Sequence, residues 1–290
     1  MAEYKGIDVS EYQGAIDWAR VKESGKDFAI LRCGYGRNAD QKDTRFEENY
    51  RNAKRVGINV GAYLFSYAVT PEQARAEAEN CLGFIRGKQF EYPIVYDVET
   101  AAQKKLGKAK LSALVEAFCE VLEKNGYYVS VYANLDFLNN YLNETVRSKY
   151  DIWLAQWASK PTYPGQFGMW QYSANGTVNG IRGAVDLDIA YKDYPAIMRA
   201  NGLNGFKKDD VPSPPARPNI YTGKEVYLNQ AKLYTSSTTR YASGRINGTY
   251  YIYSVPAVNG RYRITSRSSK VGKKPTWLFV TGWIDGSEIT

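Results

Sequence analysis

Residues 91–100 read Glu91-Tyr92-Pro93-Ile94-Val95-Tyr96-Asp97-Val98-Glu99-Thr100, a short apolar segment that ends in two carboxylates. A proline followed by Ile, Val and Tyr is typical of a buried strand. Residues i and i+2 of a strand point to the same face, so Asp97 and Glu99 are predicted on one side, with Cα atoms roughly 6.5–7 Å apart. Repulsion between like charges at that range raises the pKa of one of the two carboxyls. Neighbouring carboxyls with unequal pKa values suit acid-assisted glycosidic cleavage. The pair is equally compatible with an ordinary solvated strand end, so the rest of the chain must decide.

The composition is that of a soluble globular protein. Of the 290 residues, 44% are hydrophobic and 23% are charged, and this length allows one sizeable domain and a small one. No apolar run approaches the length of a membrane span, and Met1-Ala2-Glu3-Tyr4-Lys5 does not read as a signal peptide. We therefore expect no membrane partner, and a cytoplasmic protein that needs another route of release.

The residue types exclude several kinds of catalytic site. The sequence contains no histidine, which excludes histidine metal sites and histidine-dependent triads. Its three cysteines, Cys33, Cys81 and Cys119, lie far apart in apolar segments, which favours small buried side chains over a disulfide framework. Any chemistry must therefore use carboxylates, hydroxyls, amides, Lys or Arg, and we expect neither a metal nor a cofactor.

Strand and helix patterns alternate through residues 1–206, which we predict to be one domain. Helices are predicted from Asp17 to Ser24, after the Thr70-Pro71-Glu72-Gln73 start signal, and along the apolar stripe from Leu111 to Leu122. Between and after them lie eight strand-like segments, at 5–10, 28–35, 59–66, 94–97, 127–132, 151–156, 168–172 and 184–189. This alternation predicts an α/β fold with a parallel sheet, closed into a TIM-like barrel. No phosphate-binding glycine motif follows any strand, which disfavours a nucleotide-binding fold.

Polar and aromatic residues are concentrated where these strands end. Active sites of such barrels lie at that end, and aromatic faces with amides and acids are typical of saccharide clefts. Each aromatic taken alone is more commonly core or rim packing, but four acids at four separate strand ends favour a functional site. The candidates are Asp8, Asp97, Glu99 and Asp186 as acids, and Tyr35, Tyr63, Phe65, Tyr132, Asn134, Trp157 and Gln171 as substrate-binding residues.

Four separated motifs are Lys5–Gly14 (KGIDVSEYQG), Gly61–Phe65 (GAYLF), Tyr96–Glu99 (YDVE) and Val185–Asp188 (VDLD). In order and spacing they resemble the glycoside hydrolase family 25 lysozymes, which include phage endolysins and bacterial or fungal muramidases. The likeness covers roughly residues 4–200. It implies a modified (β/α)5β3 barrel and hydrolysis of the β-1,4 bond between N-acetylmuramic acid and N-acetylglucosamine.

The resemblance also implies roles for the four acids. Glu99 corresponds to the acid that protonates the leaving oxygen, Asp97 to its partner, and Asp8 and Asp186 to the family's other two acids. We expect carboxylate neighbours to raise the pKa of Glu99. Asp97 would stabilise the oxocarbenium-like state directly or position the substrate's N-acetyl group, and the sequence leaves both routes open. Many members carry histidine where this chain has Leu64, a position predicted to point away from the site.

The C-terminal part of the sequence differs in composition. Residues 207–218 hold four prolines and are predicted to be a linker, and residues 219–290 alternate β-formers with turn residues, which predicts a small all-β domain. That domain resembles bacterial SH3-like cell-wall-binding modules. It contains ten Lys or Arg against three Asp or Glu, a net of +7. An anionic wall polymer or a wall peptide is the predicted partner, in preference to nucleic acid.

The leading hypothesis is a monomeric peptidoglycan hydrolase of the phage or prophage endolysin type, acting on Gram-positive walls. One alternative is a catalytically silent peptidoglycan-binding protein, which the presence of all four acids disfavours. Another is a chitin-type glycosidase, because such enzymes share an Asp-x-Glu strand end, although the Gly6-Ile7-Asp8-Val9-Ser10 opening argues against it.

Overall fold

The computed structural model describes residues 3–208 and 220–289. The chain divides into two compact units, Met1–Val211 and Pro212–Thr290, which are described separately. Most of the predicted linker, from residue 209 onward, lies outside the described residues. None of the helices in the described ranges has the length and apolar character that crossing a bilayer requires.

The first unit is a closed barrel of eight strands in chain order with helices around it. Its strands are β1 Tyr4–Val9, β2 Phe28–Tyr35, β3 Asn59–Phe65, β4 Ile94–Asp97, β5 Val129–Asn134, β6 Asp151–Ala155, β7 Met169–Gly176 and β8 Val185–Ala190. Its helices are α1 Trp18–Glu23, α2 Phe46–Arg55, α3 Pro71–Ile85, α4 Ala101–Lys104, α5 Gly107–Lys124, α6 Glu144–Lys149 and α7 Tyr194–Asn201. The predicted α/β barrel is confirmed.

Strand β8 corrects the prediction of a parallel sheet. Strands β1 to β7 run parallel to one another, whereas β8 is antiparallel to both of its neighbours, β7 and β1. The reason is the connection through residues 177–184, which contains no helix and is too short for the crossover that a parallel pair needs. The reversal places the beginning of β8, rather than its end, beside the carboxyl ends of the other strands.

Helix starts follow the capping signals in the sequence. Asp17 accepts a hydrogen bond from the Arg20 amide at 3.2 Å, and Thr70 accepts one from the Gln73 amide at 3.3 Å. Gln73 does not complete the predicted capping box, because its Oε1 accepts from the Val69 amide at 2.8 Å instead. These bonds satisfy amides that have no partner inside a helix.

Alternation along the strands builds two cores in the barrel unit. Outward residues such as Leu31 and Leu64 are fully buried against the helices, so Leu64 points away from the barrel interior as predicted. Inside, the Phe28 and Tyr92 rings stack at 4.2 Å and fill one end. A Cβ at Gly6 would lie 2.2 Å from the Phe28 ring, so only glycine fits there. Strands of this geometry leave space for a cleft at the opposite, carboxyl end.

The three cysteines, Cys33, Cys81 and Cys119, are buried and free, as predicted. Cys33 and Cys81 lie with their sulfur atoms 3.8 Å apart, without a covalent bond. Their surroundings are the outer core, so their packing follows the apolar pattern that predicted it.

The second unit is an all-β sheet with strand order β12-β11-β10-β9. The strands are β9 Glu225–Leu233, β10 Gly244–Val258, β11 Arg261–Thr265 and β12 Gly282–Asp285, with a short helix α8 at Thr276–Phe279. A bridge between Tyr234 and Trp283 joins the two outer strands. The core is aliphatic and includes Leu228, Ile252, Ile264 and Ile284. The all-β prediction is confirmed, and the likeness to SH3-like modules stays a prediction.

Candidate active site

A cleft of about 340 Å³ opens at the end of the barrel where strands β1 to β7 finish. Carboxyl, amide and aromatic side chains make up most of its wall. The lining residues are Asp8, Val9, Ser10, Tyr12, Gln13, Arg32, Tyr63, Phe65, Asp97, Glu99, Tyr132, Trp153, Trp157, Gln171 and Asp186. The four acids predicted from sequence are therefore brought together in one cleft.

Strand β4 positions the first two acids. Tyr96 points outward, where its ring stacks on Phe118 at 3.8 Å and its hydroxyl donates to Glu77 at 2.6 Å. Because side chains alternate along a strand, this outward anchor turns Asp97, the last residue of β4, into the cleft. Glu99 follows two residues later, beyond the strand end, and its side chain is exposed whereas Asp97 is buried.

The junction of β1 and β8 supplies three further carboxyls. Asp8 is the direct partner of Asp186 across this antiparallel pair, and Gly6 is the partner of Asp188. All three acids therefore face the barrel interior. Asp186 lines the cleft, while Asp188 lies deeper, almost fully buried, and accepts a hydrogen bond from Trp153 Nε1 at 2.9 Å.

Gln171 links the acids to the aromatic wall. Its Nε2 donates to Asp8 Oδ2 at 2.8 Å, and its Oε1 accepts from the Tyr132 hydroxyl at 3.0 Å and from Trp157 Nε1 at 3.1 Å. Trp157 is 66% exposed, so this bond fixes an indole that would otherwise be free to rotate in solvent. One buried amide thus holds an acid and two aromatic rings in a defined arrangement.

Burial is the main cause of the shifted pKa values in the cleft. Burial raises the pKa of Asp97 well above its usual range, and the Glu99 carboxylate adds to the effect. The pKa of Glu99 is raised by desolvation and then by the neighbouring Asp186. The sequence predicts that carboxylate neighbours raise the pKa of Glu99; in the structure desolvation is the larger cause and Asp186 the smaller one.

The deeper acids are shifted in the same direction. Burial, followed by Asp188 and Asp186, raises the pKa of Asp8 well above its usual range, although the hydrogen bond from Gln171 opposes this. Burial raises the pKa of Asp188 to about 8. Within residues 3–208 and 220–289, Asp97 Oδ1 has no hydrogen-bond partner, whereas a hydrogen bond with the Asp8 side chain opposes the rise in the pKa of Asp188. These carboxyls therefore retain protons at pH values where a surface carboxyl has lost its own.

Five of the seven predicted substrate-binding residues line the cleft, namely Tyr63, Phe65, Tyr132, Trp157 and Gln171. Tyr35 and Asn134 are not among the described residues that line it. The Tyr35 ring lies edge-on to Tyr67 at 6.2 Å. Asn134 Oδ1 accepts from the Phe137 amide at 3.0 Å and so stabilises the following helical turn.

Sequence reasoning missed Tyr12, Arg32, Trp153 and Asp188 as parts of the site. Arg32 donates to Asp43 and to Glu11, each at 2.8 Å, and its guanidinium lies 4.8 Å from the Tyr12 ring centre. The Asp186-x-Asp188 spacing could have revealed Asp188, because residues i and i+2 share a face. No local signal identifies Arg32, whose partners lie 11 and 21 residues away in sequence.

Two curated bacterial proteins are similar to the first unit. The chain is 32% identical over 185 residues to the autolytic lysozyme of Clostridium acetobutylicum, a match that covers 63% of this chain and 55% of that protein. It is 34% identical over 196 residues to lysozyme M1 of Streptomyces globisporus, covering 63% and 66%. The chain thus spans less than two thirds of either relative.

Solved structures and a family model agree with these relatives. The CTP1L endolysin superposes with a TM-score of 0.61 at 26% identity, over 68% of this chain and 70% of that one. The autolysin LytC of Streptococcus pneumoniae, solved with a synthetic peptidoglycan ligand, gives a TM-score of 0.58 at 28% identity, over 65% and 47%. The model for glycosyl hydrolases family 25 matches residues 7–181, more than half of the sequence. This match agrees with the four acids that lie together in one cleft of the barrel, and the chain therefore belongs to glycosyl hydrolases family 25.

Proposed function

We propose that this chain is a lysozyme that hydrolyses the β-1,4 bond between N-acetylmuramic acid and N-acetylglucosamine in peptidoglycan. The observation that carries the proposal is the single cleft lined by Asp8, Asp97, Glu99 and Asp186 together with aromatic rings. Two relatives are named lysozymes, and one structural relative was solved with a peptidoglycan ligand. Acids beside exposed aromatic faces are the chemistry that cleavage of a sugar polymer needs.

In the proposed mechanism, Glu99 is the acid. Its side chain is exposed to the cleft, and desolvation together with Asp186 raises its pKa, which favours the protonated form that donates to the glycosidic oxygen. Asp97 lies behind it, buried at the end of β4. From there its ionised form stabilises the oxocarbenium-like transition state, or its carboxyl group orients the substrate's N-acetyl group.

Tyr63 and Gln171 support this arrangement. Burial, followed by Asp8 and Asp97, raises the pKa of Tyr63 well above its usual range, so its phenol stays protonated and remains a hydrogen-bond donor. Gln171 holds Asp8 and Trp157 in place. An exposed Trp157 ring at the rim provides a flat apolar face for a sugar ring.

We also propose that the protein acts as a phage or prophage endolysin against Gram-positive cells. It would be made in the host cytoplasm and reach the wall after release, with the second unit contacting a wall component. The likeness to the CTP1L endolysin supports this role, and so does the basic charge of residues 219–290.

Digestion of purified Gram-positive peptidoglycan tests the activity. The fragments are reduced with borohydride and analysed by mass spectrometry, and we expect reduced muramic acid ends. Reduced glucosamine ends would mean cleavage of the other glycosidic bond, and intact glycan strands would favour a binding protein.

The Glu99→Gln variant tests the assignment of the acid. It should abolish turnover while wall binding is retained, because the amide keeps the shape but has no acidic proton. Glu79→Gln, at an exposed position of α3, is the matched control and should be fully active. A fully active Glu99→Gln protein would refute the assignment.

A further inference from the structure

The second unit contains a cleft of about 390 Å³ that the barrel chemistry does not use. Aromatic rings, hydroxyls and one cation line it. They include Tyr234, Ser243, Arg263, Trp277, Thr281 and Trp283. All of them belong to the second unit, so the cleft is complete within it.

Trp277 is the most unusual residue of this cleft. Its side chain is 80% exposed on the short helix α8, although an indole normally contributes to a core when it is not used for binding. Trp283, on β12, provides a second indole in the same cleft. Two indoles in an open cleft with four aliphatic hydroxyl side chains (Thr235, Ser243, Thr276 and Thr281) suit sugar rings, which offer flat C–H faces and hydroxyl edges.

The charge of the cleft is one-sided. Among the described residues that line the cleft, Arg263 is the only charged one, and its guanidinium lies 4.6 Å from the Trp283 ring centre. Within the described parts of the chain no carboxylate forms a salt bridge with it, whereas nearby Arg261 pairs with Asp285 at 3.1 Å. A planar guanidinium beside an aromatic ring is therefore available for an anion, and its geometry matches phosphate oxygens.

The backbone around the cleft disfavours an extended peptide. Peptides that bind by strand addition need a free strand edge. Here the Tyr234 amide donates to the Trp283 carbonyl at 2.8 Å, and the Trp283 amide donates to the Tyr234 carbonyl at 2.9 Å. The two outer strands thus use each other's hydrogen-bonding groups where they meet at the cleft.

We propose that this cleft binds a phosphodiester-linked sugar polymer of the bacterial cell wall. Sugar rings stack on Trp277 and Trp283, and a phosphate of the polymer contacts Arg263. The net charge of +7 over residues 219–290 favours approach to such a polyanion. The inference rests on the proposed wall-degrading function, because a protein that degrades the wall meets this polymer on its substrate.

Co-sedimentation of the full chain with purified Gram-positive walls tests the proposal. All proteins carry Glu99→Gln so that the walls are not digested during binding. Each protein is titrated onto intact walls and onto walls treated with hydrofluoric acid, which cleaves phosphodiester links and leaves the peptidoglycan. Trp277→Ala and Arg263→Gln are compared with Tyr227→Ala and Arg267→Gln, which alter exposed residues outside the cleft.

We expect Trp277→Ala and Arg263→Gln to bind intact walls about tenfold more weakly, the loss of one strong contact. The two control variants should bind like the parent. Treatment of the walls with hydrofluoric acid should weaken binding of the parent by a similar factor. Equal binding by cleft and control variants would overturn the site. Parent binding that survives acid treatment while both cleft variants stay weak would assign the cleft to peptidoglycan instead. Because hydrolysis is measured separately with Glu99 intact, failure of this inference is distinguishable from failure of the proposed activity.

Discussion

Asp188 is a buried carboxyl whose ionisation should control stability. Burial raises its pKa to about 8 from an ordinary value of 3.8. Between these two values the folded chain keeps a proton that the unfolded chain releases, so the free energy of unfolding should fall as the pH rises through this window. The slope for one such group is at most about 1.4 kcal/mol per pH unit. Urea unfolding from pH 4 to pH 8 measures it.

The Asp188→Asn variant tests the origin of this slope. The asparagine amide cannot ionise. The substitution also removes the Asp188 charge, which raises the pKa of Asp8, so the pKa of Asp8 should move back toward its ordinary value. The fall in stability with rising pH should therefore become shallower. Asp40→Asn, at an exposed position, is the control and should keep the parent slope. If Asp188→Asn keeps it as well, the pH dependence arises elsewhere.

At the scale of elements, a buried polar network joins α3 to the ends of β3 and β4. Glu77 accepts from the Ser66 hydroxyl at 2.8 Å, from the Tyr96 hydroxyl at 2.6 Å and from the Tyr67 amide at 2.8 Å. Glu77→Ala would leave the Tyr96 hydroxyl and the Tyr67 amide without this acceptor, while the Ser66 hydroxyl still has the Tyr96 oxygen at 2.9 Å as a partner. We expect a loss of about 3 kcal/mol in the free energy of unfolding. Chemical denaturation measures this loss.

Glu79→Ala is the matched control for this network. Glu79 is an exposed glutamate of the same helix, so its removal has the same effect on helix propensity and charge without breaking the network. We expect a change within about 0.5 kcal/mol. Similar losses for the two variants would show that the network contributes little. A destabilised Glu77→Ala protein should also turn over wall more slowly, because Tyr96 anchors the strand that carries Asp97.

The elements themselves were largely predictable from local patterns. Asp17 and Thr70 mark helix starts, and alternation along β4 correctly placed Asp97 in the cleft. The direction of β8 was not predicted, because it depends on a short connection and on closure against β1. Gln171 was predicted as a site residue, but its bonds to Asp8 and Trp157 join positions far apart in sequence. Local periodicity contains no information on such pairings.

At the scale of the whole molecule, charge is distributed unevenly between the two units. Residues 219–290 hold ten Lys or Arg against three Asp or Glu, whereas residues 1–210 are near neutral.

Raising the salt from about 0.1 M to about 1 M shortens the screening length from about 10 Å to about 3 Å. We therefore expect wall digestion by the full chain, followed as loss of turbidity, to slow by about tenfold. A chain ending at Lys208 keeps the closed barrel and its cleft; it should start slower and lose little rate with salt. An equal salt dependence of both chains would locate the electrostatic contact with the wall in the barrel.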